Sequence, residues 1–269
     1  MTIRNKDDAR TFRAQARSLY FSNATVDAFL DGATAAQLRA VSDFISTELG
    51  NRQAARHAKL MRKAKFDEIK SFADFDFTNV SFPEGYASDS MRSLAFIESK
   101  QDFVFYGPTG RGKTHCSEAL GIEAVDAGYE VRFFTVANLV MMLQKLKSDG
   151  KLLGFLDGLK NARMVILDEF GYVPIDIEGS RLLFQVITEC LKGCSLVITT
   201  NIEFGKWGAV PGDDKMAAAI VDRLVEHGRL VEFGGASHRM EHALMLGKQG
   251  GGGDEQEDMP GAGIAAIRL

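Results

Sequence analysis

Cysteine is scarce in this 269-residue chain: Cys116, Cys190 and Cys194 are the only three. They form no even framework and no metal-ligand spacing. Cys190 and Cys194 stand one helical turn apart with no second pair, so the expected state is buried free thiols in a reducing cytosol. Proline is nearly as rare, with five residues, and residues 1–70 have none. No apolar run reaches the ~20 residues of a membrane span, and the N-terminus lacks the apolar stretch of a secretory signal. A cytoplasmic protein with no membrane partner is expected. Positive charge is not in excess either. Lys and Arg number 32 against 36 Asp and Glu, a net charge of −4, which excludes a uniformly basic, histone-like binder but leaves room for a local basic patch. The 25% charged and 45% hydrophobic fractions are those of an ordinary globular protein, long enough for one large or two small domains. There are no internal repeats.

What is present is a phosphate-binding loop. Gly107-Pro108-Thr109-Gly110-Arg111-Gly112-Lys113-Thr114 fits G-x-x-x-x-G-K-[ST]. The apolar run Asp102 to Tyr106 before it has strand length, and His115 to Val125 after it has helical spacing. Gly107, Gly110 and Gly112 permit turns at which a Cβ would clash, so successive amides aim at phosphate oxygens. The start of the following helix adds its positive end. The pattern gives Lys113 to the β- and γ-phosphates of ATP and the Thr114 hydroxyl to Mg²⁺.

A second anchor is Arg163-Met164-Val165-Ile166-Leu167-Asp168-Glu169. Four apolar residues read as a buried parallel strand, with two carboxylates at its C-terminal end, where open α/β sheets place their ligands. Asp168 is the candidate metal ligand and Glu169 the residue that polarises the attacking water. Glu130 to Val136 and Ser195 to Asn201 are further strands, and Leu230 to Phe233 is a short last one. Asn201 either orients water beside the γ-phosphate or closes a turn. Helices are expected over 91–98, 138–147, 151–159, 178–191 and 213–227. The pair at 138–159 is one helix more than a minimal βαβ unit needs. Lys145, Lys147, Lys151 and Lys160 on it either meet nucleic acid or are ordinary surface lysines.

Residues 1–70 read as a small helical domain, with helices over 7–19, 25–30, 34–49 and 52–70 and an apolar stripe of Leu38, Val41, Ile45 and Leu49. From 52 to 65 stand Arg52, Arg56, His57, Lys59, Arg62, Lys63 and Lys65 without a carboxylate, either a face for nucleic-acid phosphates or a solvated linker helix. Residues 71–84 are expected to be irregular. Their Phe72, Phe75, Phe77 and Phe82 either approach a bound adenine or pack on the next domain. Residues 71–245 would form the nucleotide domain. Residues 246–269, with glycines 250–253 followed by Asp254, Glu255, Glu257 and Asp258, form an acidic glycine-rich tail expected to be disordered.

Several blocks, in order, resemble the IstB/DnaC-like AAA+ ATPases, and the IstB proteins above all. Gly107 to His115 resembles their GPxGxGKTH loop. Leu167-Asp168-Glu169-Phe170-Gly171-Tyr172-Val173-Pro174 resembles LDELGYLP. Gly179 to Gln185, Thr200-Asn201, Phe204 to Gly208 and Ile220 to Leu224 follow the same pattern. The resemblance covers roughly residues 60–240. It implies an α/β AAA+ fold, a parallel sheet sandwiched by helices, and places the nucleotide on residues 107–115. It implies ring or filament oligomers in which Arg223 enters a neighbour's site, and Arg239 as a second sensor in cis, with His238 in place of the family's Tyr. The implied function is ATP-dependent help in transposition: assembly on duplex DNA, remodelling of the target and recruitment of a transposase. The alternative within the resemblance is a replicative helicase loader of the DnaC type, acting on single-stranded DNA.

Overall fold

The structure is a computed structural model, which describes residues 6–73, 75–172, 174–203, 207, 222, 224, 226 and 228–237. The expected tail at 246–269 and most of the expected helix at 213–227 lie outside these residues.

Three helices open the chain: α1 (Lys6–Ser18), α2 (Asn23–Gly32) and α3 (Ala35–Ala64). The Ser22 hydroxyl caps α2 by accepting from the Thr25 amide. Thr34 and Gln37 form a reciprocal capping box at the start of α3. Phe12, Ala16, Val26, Leu30, Leu38 and Ile45 bury one another, with Val41 and Leu49 of the predicted stripe packed alongside. The two helices expected over 34–49 and 52–70 are one. Helix α3 runs through Gly50, where nothing crowds the backbone. A mid-helix glycine costs about 1 kcal/mol, which packing on both sides of it offsets. Helix α3 stops at Ala64 because Lys65 turns left-handed, at φ 59°, so residues 66–70 are not helical as expected.

The remaining elements form a three-layer sandwich. In chain order they are β1 (Val80–Ser81), α4 (Ser88–Arg92), α5 (Ala95–Glu98), β2 (Asp102–Tyr106), α6 (Lys113–Asp126), β3 (Val131–Thr135), α7 (Val136–Ser148), α8 (Leu152–Leu159), β4 (Met164–Phe170), α9 (Ile177–Gly193), β5 (Ser195–Thr200) and β6 (Gly228–Phe233). The single helix expected over 91–98 is divided by left-handed Leu94, at φ 60°. The sheet order is β1-β6-β2-β5-β4-β3. The expected parallel sheet holds for β6 through β3, and β1 adds an antiparallel edge strand that the sequence did not signal.

Strand residues alternate between the two faces. Phe103, Phe105, Met164 and Ile166 pack on α6 and the end of α3. Val104, Val165, Leu167, Leu196 and Ile198 pack on α7, α8 and α9. This order sets β5 between β2, which leads into the phosphate loop, and β4, which carries the acidic pair. All three strands are parallel, so their C-terminal ends meet along one edge. Among the described residues no helix is long and apolar enough to cross a membrane.

Candidate nucleotide-binding site

Leaving β2, the chain passes through residues 107–112 into α6. Gly107 takes φ 151°, and a Cβ there would lie 2.2 Å from the Phe233 carbonyl oxygen of β6. Only glycine allows the loop to lie against that strand. The Gly107 amide donates to the Thr200 carbonyl at 3.2 Å, which ties the loop to the end of β5. Gly112, at φ 90°, is the N-cap of α6, and a Cβ there would stand 3.1 Å from the Phe75 ring. The Lys113 ammonium is buried and arches back to donate to the carbonyls of Gly107 at 2.7 Å and Pro108 at 2.8 Å. Arg111 has two buried guanidinium nitrogens, Nε and Nη1, without a hydrogen-bond acceptor.

Beside the loop stands the acidic pair. The pairing of β4 with β5 shifts register between Leu167 and Phe170, and Glu169 within that bulge adopts φ 61°. The bulge separates the two carboxylates: Asp168 is buried at 3% exposure, and Glu169 is exposed. Asp168 accepts from the Thr114 hydroxyl at 3.0 and 3.1 Å, so the loop and the acidic strand meet directly. It also accepts from the Thr199 hydroxyl of β5 at 2.5 Å. The same Thr199 oxygen accepts from the Glu169 amide at 3.0 Å. One buried hydroxyl thus fixes both halves of the pair. Burial raises the Asp168 pKa above the ordinary carboxylate value, opposed by the hydrogen bonds from Thr199 and Thr114.

The structure therefore brings Gly107 to Thr114, Asp168 and Glu169 to one edge of the sheet. Asn201 is exposed, one residue beyond β5. The His115 imidazole turns to residues 71–75 rather than into the loop, hydrogen-bonded to the Ser71 carbonyl at 2.8 Å. Arg223, His238 and Arg239 lie outside the described residues. Sequence reasoning missed Thr199. Its only trace is a Thr-Thr step at the end of Leu196-Val197-Ile198, a polar pair where a buried strand emerges. Among the described residues no cluster of three His, Cys, Asp or Glu could hold a metal.

A loop with a buried ammonium, orphaned guanidinium donors and amides at the start of a helix fits a polyphosphate. Residues 21–245 match the family model described as IstB-like ATP binding protein. The chain belongs to that family. An ATP-binding protein of insertion sequence IS21 from Pseudomonas aeruginosa is 33% identical over 82% of this chain and 85% of its own. One of insertion sequence IS5376 from Geobacillus stearothermophilus is 33% identical over 76% and 82%. In fold the chain is similar to AMPPCP-bound DnaA from Aquifex aeolicus, with a TM-score of 0.50 and 18% identity over 66% of this chain and 54% of that one. This IstB-like chain is an AAA+ P-loop ATPase, as the family resemblance of its loop and acidic strand implied.

The basic stretch 52–65 of this IstB-like chain is partly engaged by acids and a carbonyl. Arg52 pairs with Glu48 at 2.7 Å and His57 with Asp126 at 2.8 Å. Lys63 pairs with Glu130 at 2.6 Å, and Arg56 donates to the Gly128 carbonyl at 3.2 Å. Arg56, His57 and Lys63 dock α3 onto the ATPase core, while Lys59, Arg62 and Lys65 stay exposed. In the second helix pair Lys147 pairs with Glu178 and Lys160 with Asp157. The aromatics of 72–82 form a packed cluster in which the Phe75 and Phe77 centroids lie 4.7 Å apart.

Proposed function

We propose that this ATPase assists transposition: bound to ATP it assembles on duplex DNA, remodels the target and recruits a transposase. The observation that carries the reading is kinship along most of its length with ATP-binding proteins that insertion sequences encode. That kinship favours transposition over helicase loading. In this reading Lys113 leaves the Gly107 and Pro108 carbonyls for the β- and γ-phosphates. Thr114 and Asp168, already hydrogen-bonded to one another, hold Mg²⁺, which when bound neutralises charge on the phosphate oxygens. Glu169 polarises the attacking water and Asn201 orients it. Arg223 of a neighbouring copy and Arg239 of the same chain complete the site, roles supported by sequence alone.

Residues 1–70 serve as the partner-binding unit, 71–245 as the ATPase and 246–269 as an acidic tail. An apolar rim beside Glu169, formed by Val140, Met141, Pro174 and Ile175 with Met141 exposed, supports self-assembly at this edge. Lys59, Arg62, Lys65, Lys145 and Lys151, all exposed, supply candidate phosphate contacts. The test is duplex binding with a non-hydrolysable ATP analogue across a salt series, imaged in parallel. Contact with six phosphates gives a log–log slope of about −5, with rings or helical arrays on DNA. Binding that ignores salt, or particles that never gather on duplex, sinks the reading. Glu169→Gln should lower turnover about 100-fold or more while ATP binding persists.

A further inference from the structure

Helix α6 carries a second segment along its flank. From Phe66 to Phe75 the chain leaving α3 runs back beside this helix towards the phosphate loop and touches it at four levels. The Phe66 ring lies on Gly121, where a Cβ would come within 2.6 Å of it. The Glu68 amide donates to the buried Glu118 carboxylate at 3.1 Å. The Ser71 carbonyl accepts from His115 Nε2 at 2.8 Å. The Phe75 ring faces His115, centroids 5.1 Å apart, and its edge covers Gly112, 3.1 Å from where a Cβ would stand. The contacts descend α6 at residues 121, 118, 115 and 112 as the strap advances through 66, 68, 71 and 75. At the other end of α6, α3 is pinned to Asp126 through His57 and to the following turn through Arg56. One helix thus joins the loop that holds phosphate to the element that carries α1 and α2.

We propose that His115 is a positioning residue that ties this strap to the phosphate loop, so that ATP in the loop is felt by helices α1–α3. A carbonyl is only an acceptor, so His115 donates from Nε2, and the bond fixes the ring against Phe75. Gly112 is both the residue on which Phe75 rests and the N-cap from which α6 begins. Loop amides that close on a phosphate therefore move the strap's footing. The strap is stiff enough to pass this on. Phe72 is buried, and its ring lies 5.8 Å from Phe75, 5.5 Å from Phe77 and 5.0 Å from the Arg92 guanidinium.

The proposal requires ATP in the loop and nothing of the DNA or transposase reading, so the failure of either is seen separately. The experiment uses the full chain, as wild type, His115→Ala and His115→Gln, with and without a non-hydrolysable ATP analogue. Amide exchange is followed over 66–75 and α3, and steady-state ATP turnover is measured alongside. In wild type the analogue slows exchange at the Glu68 amide and in the second half of α3. In His115→Ala that response is lost although the analogue still protects 107–114, and KM rises about three- to tenfold, the worth of one hydrogen bond, more than kcat falls. Gln carries an amide donor on a side chain of similar reach and restores both. The proposal is overturned if His115→Ala keeps the analogue-induced protection of 66–75, or if Gln behaves like Ala. Should His115→Ala fail to fold, Phe75→Leu, which removes the ring from Gly112, must lose the same response.

Discussion

Thr199→Val is the sharpest probe of the site. Valine keeps the shape of a residue that is 1% exposed and removes only its hydroxyl. That hydroxyl donates to Asp168 at 2.5 Å and accepts from the Glu169 amide at 3.0 Å. A hydrogen bond to a charged group is worth about 1.5–3 kcal/mol, and a buried amide left without an acceptor costs about 1–3 kcal/mol. The losses overlap, because Asp168 keeps Thr114 and Glu169 is free to relax from its left-handed backbone, so the expected destabilisation is about 2–4 kcal/mol. Turnover should fall more than stability suggests. A carboxylate misplaced by about 1 Å costs roughly 100-fold in rate, and nothing else described fixes the Glu169 amide. Urea unfolding gives the first quantity and steady-state ATP hydrolysis the second. Thr199→Ser, which loses a methyl but keeps the hydroxyl, should retain most of the rate. If Thr199→Val unfolds within about 0.5 kcal/mol of wild type and hydrolyses ATP at an unchanged kcat, the hydroxyl does not hold the pair.

Burial holds the Asp168 pKa above its unfolded value. Between the two pKa values the folded chain keeps a proton that the unfolded chain releases, so stability without nucleotide falls as pH rises through that window. Asp168→Asn should lessen this fall, measured by urea midpoints from about pH 4 upward, while ending Mg²⁺-dependent turnover. Gly107→Ala would set a methyl 2.2 Å from the Phe233 carbonyl oxygen at φ 151°. A loss of about 2–5 kcal/mol is expected, seen as a Tm lower by about 5 °C or more, together with loss of ATP binding. Burial raises the Cys116 pKa, and the side-chain hydrogen bond Cys190 shares with Cys194, followed by burial, raises that of Cys190. Both should react with iodoacetamide roughly 100-fold more slowly in the native protein than in urea. Mass spectrometry of tryptic peptides gives the comparison.

Much of the ATPase core was legible because its signals are local. Asp102 to Tyr106 was marked as a strand by an apolar run and a glycine loop, and the structure gives it those limits. The carboxylates at the end of Val165-Ile166-Leu167 were legible because buried parallel strands show as unbroken apolar text. What stayed hidden depends on partners far along the chain. Thr199 works on Asp168 and Glu169, thirty residues away, and β1 exists only because β6 offers it an edge. Local rules also misled in places. Gly50 read as a stop, but two separate packing surfaces carry α3 through it. Within the basic run of 52–65 the partners of His57 and Lys63, Asp126 and Glu130, were out of local view because they belong to a different part of the fold.

The unbroken course of α3 has a mechanical side. Its lower end, around Leu60, is embedded in the ATPase core, and its upper end, around Leu38, belongs to the small bundle with α1 and α2. Twenty-two residues of helix amount to a rod of about 33 Å. A tilt of about 5° at the base swings the bundle through roughly 3 Å, so a small adjustment at the foot becomes a displacement wide enough to make or break contact with another molecule.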